Sequence, residues 1–424
     1  MVNWAWGLWA LLVWVACVGG SAAISLLQSM ALQPAAGVRD LNPGEVEQNR
    51  SICAQLSAVY RRWGYQQLTP PSVERSDTLE AGGAINEREI VRLVSGEPLG
   101  LRPELTAPIA RAACTRLAAQ PRPLRLWSEG TIFRSWLGEG GAQRIQEQLQ
   151  SGVELLGEPS AAAEAELLRL LLAAVGSLNL DQRHRPRLLL GHHGLLSLLL
   201  ERLPEPVRPA ARTALSGLDA LSLASLPLGE EQRLWLQELS RLRGAPAQVL
   251  ETLAVWLGQH PLLTSLAATL ELVMPAAERH GVSLQLDPTF QPHFSLYDGL
   301  VLKLVCQGSD APVAIASGGR YDALVGRFCP PEAPQANLAY GVGFGFDIEA
   351  IRELAGQGEW PAQSSSRHLV SFSERAGLAA ALDALETLHA AGLVAELHGQ
   401  PLVNRAAAEA LASQRGCGAV EFLA

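Results

Sequence analysis

Few residue types in this 424-residue chain can do chemistry, and their placing excludes most of it. Lys303 is the only lysine, so Schiff-base or phosphate-loop chemistry has one candidate, and no Gly-x-x-x-x-Gly-Lys-Ser/Thr pattern exists. Six cysteines (Cys17, Cys53, Cys114, Cys306, Cys329 and Cys417) lie far apart with no Cys-x-x-Cys pair. That spacing fits a reducing compartment and argues against a zinc knuckle or a disulfide framework. Cys53, Cys114 and Cys306 sit in apolar stretches and read as small core residues. His192-His193 is a polar pair at a strand end, but a metal site needs further ligands and none is spaced nearby, so the pair reads as structural. Neither a metal nor a cofactor is expected. Carboxylates remain. On the strand holding Glu154, alternation puts residues 152 and 154 on one face, and Gly152 would leave open space beside the carboxylate, as a ligand site requires. Such a carboxylate could hold an ammonium group; it could equally be a solvated side chain or one arm of a structural salt bridge.

The elements that must position these residues follow from length and periodicity. At roughly 150 residues per domain, the chain has two or three domains and ample core. Hydrophobic residues make up 48% and charged ones 18%, which excludes a disordered chain. A net charge of −9 argues against nucleic acid as the main partner. No charged residue precedes Arg39, and Trp4 to Leu27 is long and apolar enough to span a bilayer. Residues 1–29 are therefore a membrane anchor, a weak signal peptide, or sequence ahead of a true start at Met30; the last reading leaves a cytoplasmic protein with no membrane partner.

A helix is predicted over Glu45–Trp63, ended by Gly64, followed by an extended Tyr65–Leu68. Leu99–Leu101 reads as a strand and Pro108–Ala118 as a helix. Two further strands are expected, Leu124–Trp127 with Thr131–Arg134, and Gln148–Leu156, then a helix at Ser160–Val175 and a strand at Arg187–Leu190. Residues 191–280 are leucine-rich and proline-broken, a helical insertion. Strands return at Val301–Cys306, Val313–Ser317 and Tyr340–Phe346. Residues 30–190 and 281–355 thus form one core, residues 356–366 a linker, and residues 367–424 a small α/β unit.

Five segments add a resemblance. Gly37-Val38-Arg39-Asp40 with Gly64 to Pro71 resembles the entry and first motif of class II histidyl-tRNA synthetases. Leu101 to Ala107 resembles their amino-acid loop. Phe133-Arg134 with Gln150 to Glu154 resembles the second motif, Ala316 to Asp322 the histidine signature, and Gly341 to Gly345 the third motif. The segments stand in family order over about residues 35 to 350. The resemblance implies an α+β fold, an antiparallel sheet flanked by helices. It also implies a histidine-like pocket in which Glu104, Thr106, Gln150 and Glu154 hold the amino group and orient the ligand. Arg134 would face an anion, Tyr297 and Tyr321 would close around an imidazole, and Arg320 would be a ligand contact or a structural ion pair. The glycines at 341, 343 and 345 could instead serve close packing alone.

Departures from the synthetase pattern narrow the reading. Pro292 stands where an arginine would promote adenylate formation and Ile348 where the third-motif arginine would clamp ATP, and Trp136 replaces a glutamate, with a long loop from Leu137 to Gln143. Losing cationic clamps should abolish amino-acid activation. A synthetase body without its clamps is similar to the regulatory subunits of ATP phosphoribosyltransferase. That resemblance implies a non-catalytic subunit that assembles with a short-form catalytic chain, self-associates as a dimer through Gly64–Pro71, and conveys feedback by histidine. The alternatives are a divergent histidyl-tRNA synthetase or other amino-acid-activating enzyme, and a histidine sensor anchored by the N-terminal segment.

Overall fold

The computed structural model describes residues 32–81, 87–138, 143–178, 180, 183–291, 296–329, 332, 336–356 and 367–424. The apolar N-terminal segment, Pro292 and the linker from residue 357 lie outside these. The chain divides into a larger unit ending at Gly356 and a smaller one from Gln357.

In order, the larger unit runs α1 (Pro43–Arg62), β1 (Gln66–Gln67), β2 (Val73–Arg75), α2 (Ser76–Ala81), β3 (Leu99–Leu101), α3 (Thr106–Cys114), β4 (Leu124–Leu137), β5 (Gln143–Leu156), α4 (Ala161–Ser177) and β6 (Arg187–His192). Helices follow as expected over the insertion: α5 (His193–Leu200), α6 (Arg208–Ser216), α7 (Ala220–Ala224), α8 (Glu230–Arg241), α9 (Pro246–Leu257) and α10 (Pro261–Arg279). The unit closes with β7 (Ser283–Leu286), β8 (Leu300–Gln307), β9 (Pro312–Arg320), α11 (Asp322–Phe328), β10 (Gly341–Asp347) and α12 (Ile348–Ala355).

An eight-stranded sheet in the order β1-β4-β5-β10-β9-β8-β6-β7 is the frame. Its inner pairs are antiparallel, as expected, while the two edge pairs, β1 with β4 and β6 with β7, are parallel. The α+β expectation therefore holds, with a mixed rather than purely antiparallel sheet.

Side chains alternate across this sheet. Val342, Phe344 and Phe346 of β10, with Val153 and Leu155 of β5, are buried on the face covered by α1, α4 and α12. Tyr60 of α1 stacks there 5.9 Å from Trp127 and 6.4 Å from Phe344. Helix α4 is apolar nearly all round because α1, α10 and β10 enclose it, and Leu167, Leu168, Leu171 and Leu172 are fully buried. Each contributes about 1.5–3 kcal/mol. On the opposite face, α3 and α11 pack with Leu105, Ile109, Leu126, Leu296, Tyr321 and Leu324.

Helix α1 begins where its caps dictate. The Asn42 side chain accepts from the Glu45 amide and the Glu45 carboxylate from the Asn42 amide, each at 2.9 Å. Arg39 locks that carboxylate with an ion pair at 2.8 Å.

Several local expectations are corrected. The strand of residues 124–134 is continuous through 128–130 and runs on to Leu137, 14 residues in all. A Cβ at Gly130 would strike the Arg102 guanidinium, which is anchored on the carbonyls of Thr131 (2.9 Å) and Pro70 (2.6 Å). β5 starts at Gln143, not 148, and pairs with β4 as far as Leu137. Helix α3 stops at Cys114, short of Ala118, where Arg122 donates to the carbonyls of Ala113 (2.9 Å) and Leu117 (3.2 Å). β7 has no counterpart among the expected strands; it is a four-residue edge strand held by β6 and by Gly244.

The cysteines bring the largest correction. Cys114 and Cys329 form a disulfide with Cα atoms 5.4 Å apart, across 215 residues of sequence. Spacing along the chain cannot reveal a pair that meets only when two helices pack. Cys53 and Cys306 are buried free thiols, as expected.

The smaller unit has the expected alternation: β11 (His368–Phe372), α13 (Gly377–Ala390), β12 (Ala395–Leu397), α14 (Arg405–Arg415) and β13 (Ala419–Leu423). Its parallel strands lie in the order β12-β11-β13 over a core of Val370, Phe372 and Ala381. Asn404 caps α14 at the Ala407 amide (2.9 Å), and Gly416, at φ 68°, ends it.

Candidate functional site

Register places the site on the face of the sheet away from α1. Opposite residues of an antiparallel pair point the same way. β5 and β10 pair Glu154 with Gly343, Gly152 with Gly345 and Gln150 with Asp347, so these six share one face. A cavity of about 50 Å³ stands on it, lined by Glu104, Thr106, Arg134, Gln150, Glu154 and Tyr297 together with Leu105, Ile109, Leu296 and Ser317. A larger hollow of about 240 Å³ shares Arg134, Gln150, Tyr297 and Ser317 with it and continues past Gln148, Lys303 and Asp347.

Glu154 is 4% exposed. One carboxylate oxygen accepts from Thr106 Oγ1 at 2.7 Å and the other from the Tyr321 hydroxyl. Burial pushes its carboxyl up to about 8, against the two hydroxyl donors that favour the anion, and the nearby Glu104 carboxylate adds to the rise. Glu104, at the start of α3, accepts from the Thr106 amide and from the Ala107 amide (3.1 Å), so it anchors the first turn of that helix. Burial raises its carboxyl too, offset by those amides and by Arg134. Arg134 donates through Nε to the Pro103 carbonyl at 3.1 Å, and burial lowers its proton affinity. Burial, then Glu154 and Glu104, raise the Tyr297 phenol and hold it neutral.

The cavity thus offers two carboxyl groups, a guanidinium, an amide and a phenol over apolar walls. A small zwitterion with a polar side chain is the class of ligand such a set can hold: carboxyl groups for a cation, Arg134 for an anion.

Two of the residues expected at the pocket stand outside its lining. Tyr321 is fully buried behind Glu154 and reaches the cavity only through that carboxylate. Arg320 turns to the other side, paired with Glu164 at 2.7 Å and Asp322 at 3.3 Å, and donates to the Ser160 carbonyl at 3.3 Å. This is the structural ion pair of the two readings the sequence left open.

The glycines also resolve differently from expectation. Gly152 does not leave open space; a Cβ there would strike the Phe344 carbonyl and lie 2.9 Å from the Gly345 Cα, so close approach of β10 requires it. The clearance comes from β10. A Cβ at 343 would fall on the Glu154 carboxylate, and one at 341 on the Tyr321 ring. Ser317 and Gly343 stand within two of the family-like segments, but neither the place of Ser317 in the cavity wall nor the clearance given by Gly343 is legible from the segment itself. Only the strand register shows that Gly343 faces Glu154.

The His192-His193 pair is structural, as expected: His192 Nδ1 accepts from the Gly194 amide at 3.1 Å and caps α5, and burial lowers that ring to about 4. Among the described residues, no three His, Cys, Asp or Glu side chains are grouped to hold a metal ion.

Comparison with known proteins matches this geometry. The family model described as histidyl-tRNA synthetase matches residues 37–351. A protein of Synechococcus sp. (strain RCC307) called ATP phosphoribosyltransferase regulatory subunit is 52% identical over 396 residues, covering 93% of this chain and 100% of its own. The chain belongs to that regulatory-subunit family. A Prochlorococcus marinus (strain MIT 9313) protein of the same name is 49% identical over 394 residues, with 93% and 100% covered. Among solved structures, an ATP phosphoribosyltransferase regulatory subunit/histidyl-tRNA synthetase of Bacillus halodurans superposes with a TM-score of 0.75 at 26% identity, covering 93% of this chain and 98% of its own. A histidyl-tRNA synthetase of Nostoc sp. has the same fold, with a TM-score of 0.72 at 18% identity and 93% and 92% covered.

Within this family frame, the departures from the synthetase pattern have a structural form. Ile348 opens α12 and is fully buried in the core, and Trp136 is exposed near the end of β4. Neither can supply the charge that the synthetase pattern has there.

Proposed function

We propose that this chain is a non-catalytic regulatory subunit that assembles with a short-form ATP phosphoribosyltransferase chain in the cytoplasm and conveys feedback by histidine through the Glu154 pocket. One observation carries the reading. Glu154 is enclosed by Thr106, Tyr321 and Gly343 beside a cavity, while the position that the resemblance gives to the third-motif arginine holds Ile348, fully buried. A pocket can outlast the chemistry it once served when it still binds. In this reading the histidine ammonium and imidazole meet Glu154, Glu104, Gln150 and Tyr297, and Arg134 faces the carboxylate. Occupancy shifts the assembly only as far as histidine binds its inactive state more tightly than its active one.

Self-association as a dimer is part of the proposal. It is supported by β1, an exposed two-residue edge strand, and by a hollow of about 580 Å³ beside it whose lining includes Arg61, Gln67 and Trp127. Light scattering should give twice the chain mass at micromolar concentration. Neither nucleic acid nor membrane is proposed as a partner; the net charge of −9 supports the first exclusion.

The deciding experiment is co-purification with a short ATP phosphoribosyltransferase chain, followed by its activity with and without this subunit across a histidine titration. Activity that requires the subunit and falls with histidine supports the reading. Pyrophosphate exchange with ATP and histidine in the subunit alone would sink it in favour of an amino-acid-activating enzyme.

A further inference from the structure

The two helices that hold Glu154 begin at its carboxylate and end at the same pair of sulfurs. α3 starts with Thr106, whose hydroxyl donates to one oxygen, and ends with Cys114. α11 follows Tyr321, whose hydroxyl donates to the other, and is closed by Cys329. Cys114 and Cys329 are disulfide-bonded, and both pack in the apolar cluster that contains Tyr321 and Leu296. At 1.5 Å rise per residue, the sulfurs lie roughly 10–12 Å along each helix from the pocket. Cys329 is buried, and Cys114 is the more exposed of the two.

We propose that Cys114 and Cys329 are a reversible thiol–disulfide pair whose state sets the ligand affinity of the Glu154 pocket, with a protein of the dithiol–disulfide oxidoreductase class as exchange partner. The inference rests on the reading that the pocket takes histidine. In a chain assigned to the cytoplasm, a disulfide is more often a switched bond than a permanent staple. Oxidation fixes the far ends of α3 and α11 to each other. It thereby restricts how far Thr106 and Tyr321 can part across Glu154, and a pre-organised site binds more tightly.

The exchange balances without further reagents. The Cys114 thiolate attacks a sulfur of the partner's disulfide, and one partner thiolate leaves. The Cys329 thiolate then attacks Cys114 Sγ, expels the second partner thiolate and completes the bond. Two protons leave the two cysteines, two electrons pass to the partner, and its dithiol is the product. Reduction is the reverse.

The test uses the full chain, equilibrated in dithiothreitol or in its oxidised form. Maleimide labelling after denaturation should add two fewer labels in the oxidised buffer. Calorimetry with histidine should show binding about fivefold or more tighter in the oxidised protein, the lower range of couplings between sites. The C114S/C329S variant should bind like reduced wild type in both buffers; if it does not fold, the wild-type pair of measurements still decides. Equal histidine affinity in both states overturns the linkage and leaves the pocket reading standing. Equal label counts overturn the reversible pair. No histidine binding in either state overturns the pocket reading, and this inference with it.

Discussion

Glu154→Gln separates a ligand carboxylate from a structural one by the sign of its effect on stability. The carboxyl stands at about 8 in the folded protein, against an ordinary value of 4.5. A raised carboxyl means the folded state keeps a proton that the unfolded chain releases, so stability falls as pH rises from about 4.5 to 8 and then levels off. At about 1.4 kcal/mol per pH unit, the ionisation of this one group opposes folding by roughly 3 kcal/mol at pH 7. The glutamine side chain of the variant has no such ionisation. Its amide oxygen can still accept from one hydroxyl, and the other hydroxyl can turn to accept from the amide nitrogen. Urea unfolding of both proteins without histidine at pH 5 and pH 8 should therefore show the gap moving in favour of Glu154→Gln by roughly 2–4 kcal/mol at the higher pH. The subtraction cancels every other titrating group. The variant should also lose stabilisation by histidine, because truncating one partner of a buried charge pair costs about 2–5 kcal/mol, roughly thirtyfold or more in affinity. Parallel pH dependence in the two proteins, or a variant less stable than wild type at pH 8 with histidine binding unchanged, would refute the reasoning and make Glu154 a structural residue.

Because burial raises the Glu154 carboxyl to about 8, binding of a cationic ligand against it at pH 7 should release protons, measurable by calorimetry in buffers of different ionisation heat; no release would mean the ligand does not meet this carboxylate. Gly343→Ala puts a methyl group on the Glu154 carboxylate, so it should abolish histidine binding and cost about 1–3 kcal/mol in urea, and wild-type affinity would contradict the register argument. Arg320→Ala strands Glu164 and Asp322 beside an empty site and should destabilise by roughly 3–5 kcal/mol, while a loss under 1 kcal/mol would mean the pair is solvated.

Periodicity made the elements with local causes legible. α1 declares itself by apolar spacing and the Gly64 stop, and the smaller unit by a period that switches between strand and helix with a glycine or asparagine at each change. What failed was set by residues distant in sequence. Strand β4 runs on through Gly130, where Arg102 packs against it, and α3 ends early where Arg122 takes the Ala113 carbonyl. β7 is an exception, legible in the sequence yet absent from the expectations: Val282 to Asp287 alternates apolar and polar residues strictly, at the end of a stretch that otherwise reads as helix. The Cys114–Cys329 pair joins residues 215 apart.

The family-like segments meet around one cavity, but their order does not tell how its atoms are shared. Glu104, an amino-group holder by resemblance, has its carboxylate engaged by the amides of α3, and Glu154 takes the two hydroxyls. The third-motif strand shows why such a pattern can be half kept. Its glycines at 341 and 343 are fixed by the Tyr321 ring and the Glu154 carboxylate, both on the pocket side of the sheet. Two residues further along the chain from Phe346, Ile348 turns instead into the core, where an apolar side chain gains from burial and a guanidinium would lose its hydration. The packing of Tyr321 and Glu154 therefore requires the two glycines whatever residue stands at the arginine position. A glycine-rich strand of this kind is evidence for side chains packed close against it, and evidence for phosphate chemistry only when the charged residue after it is also present.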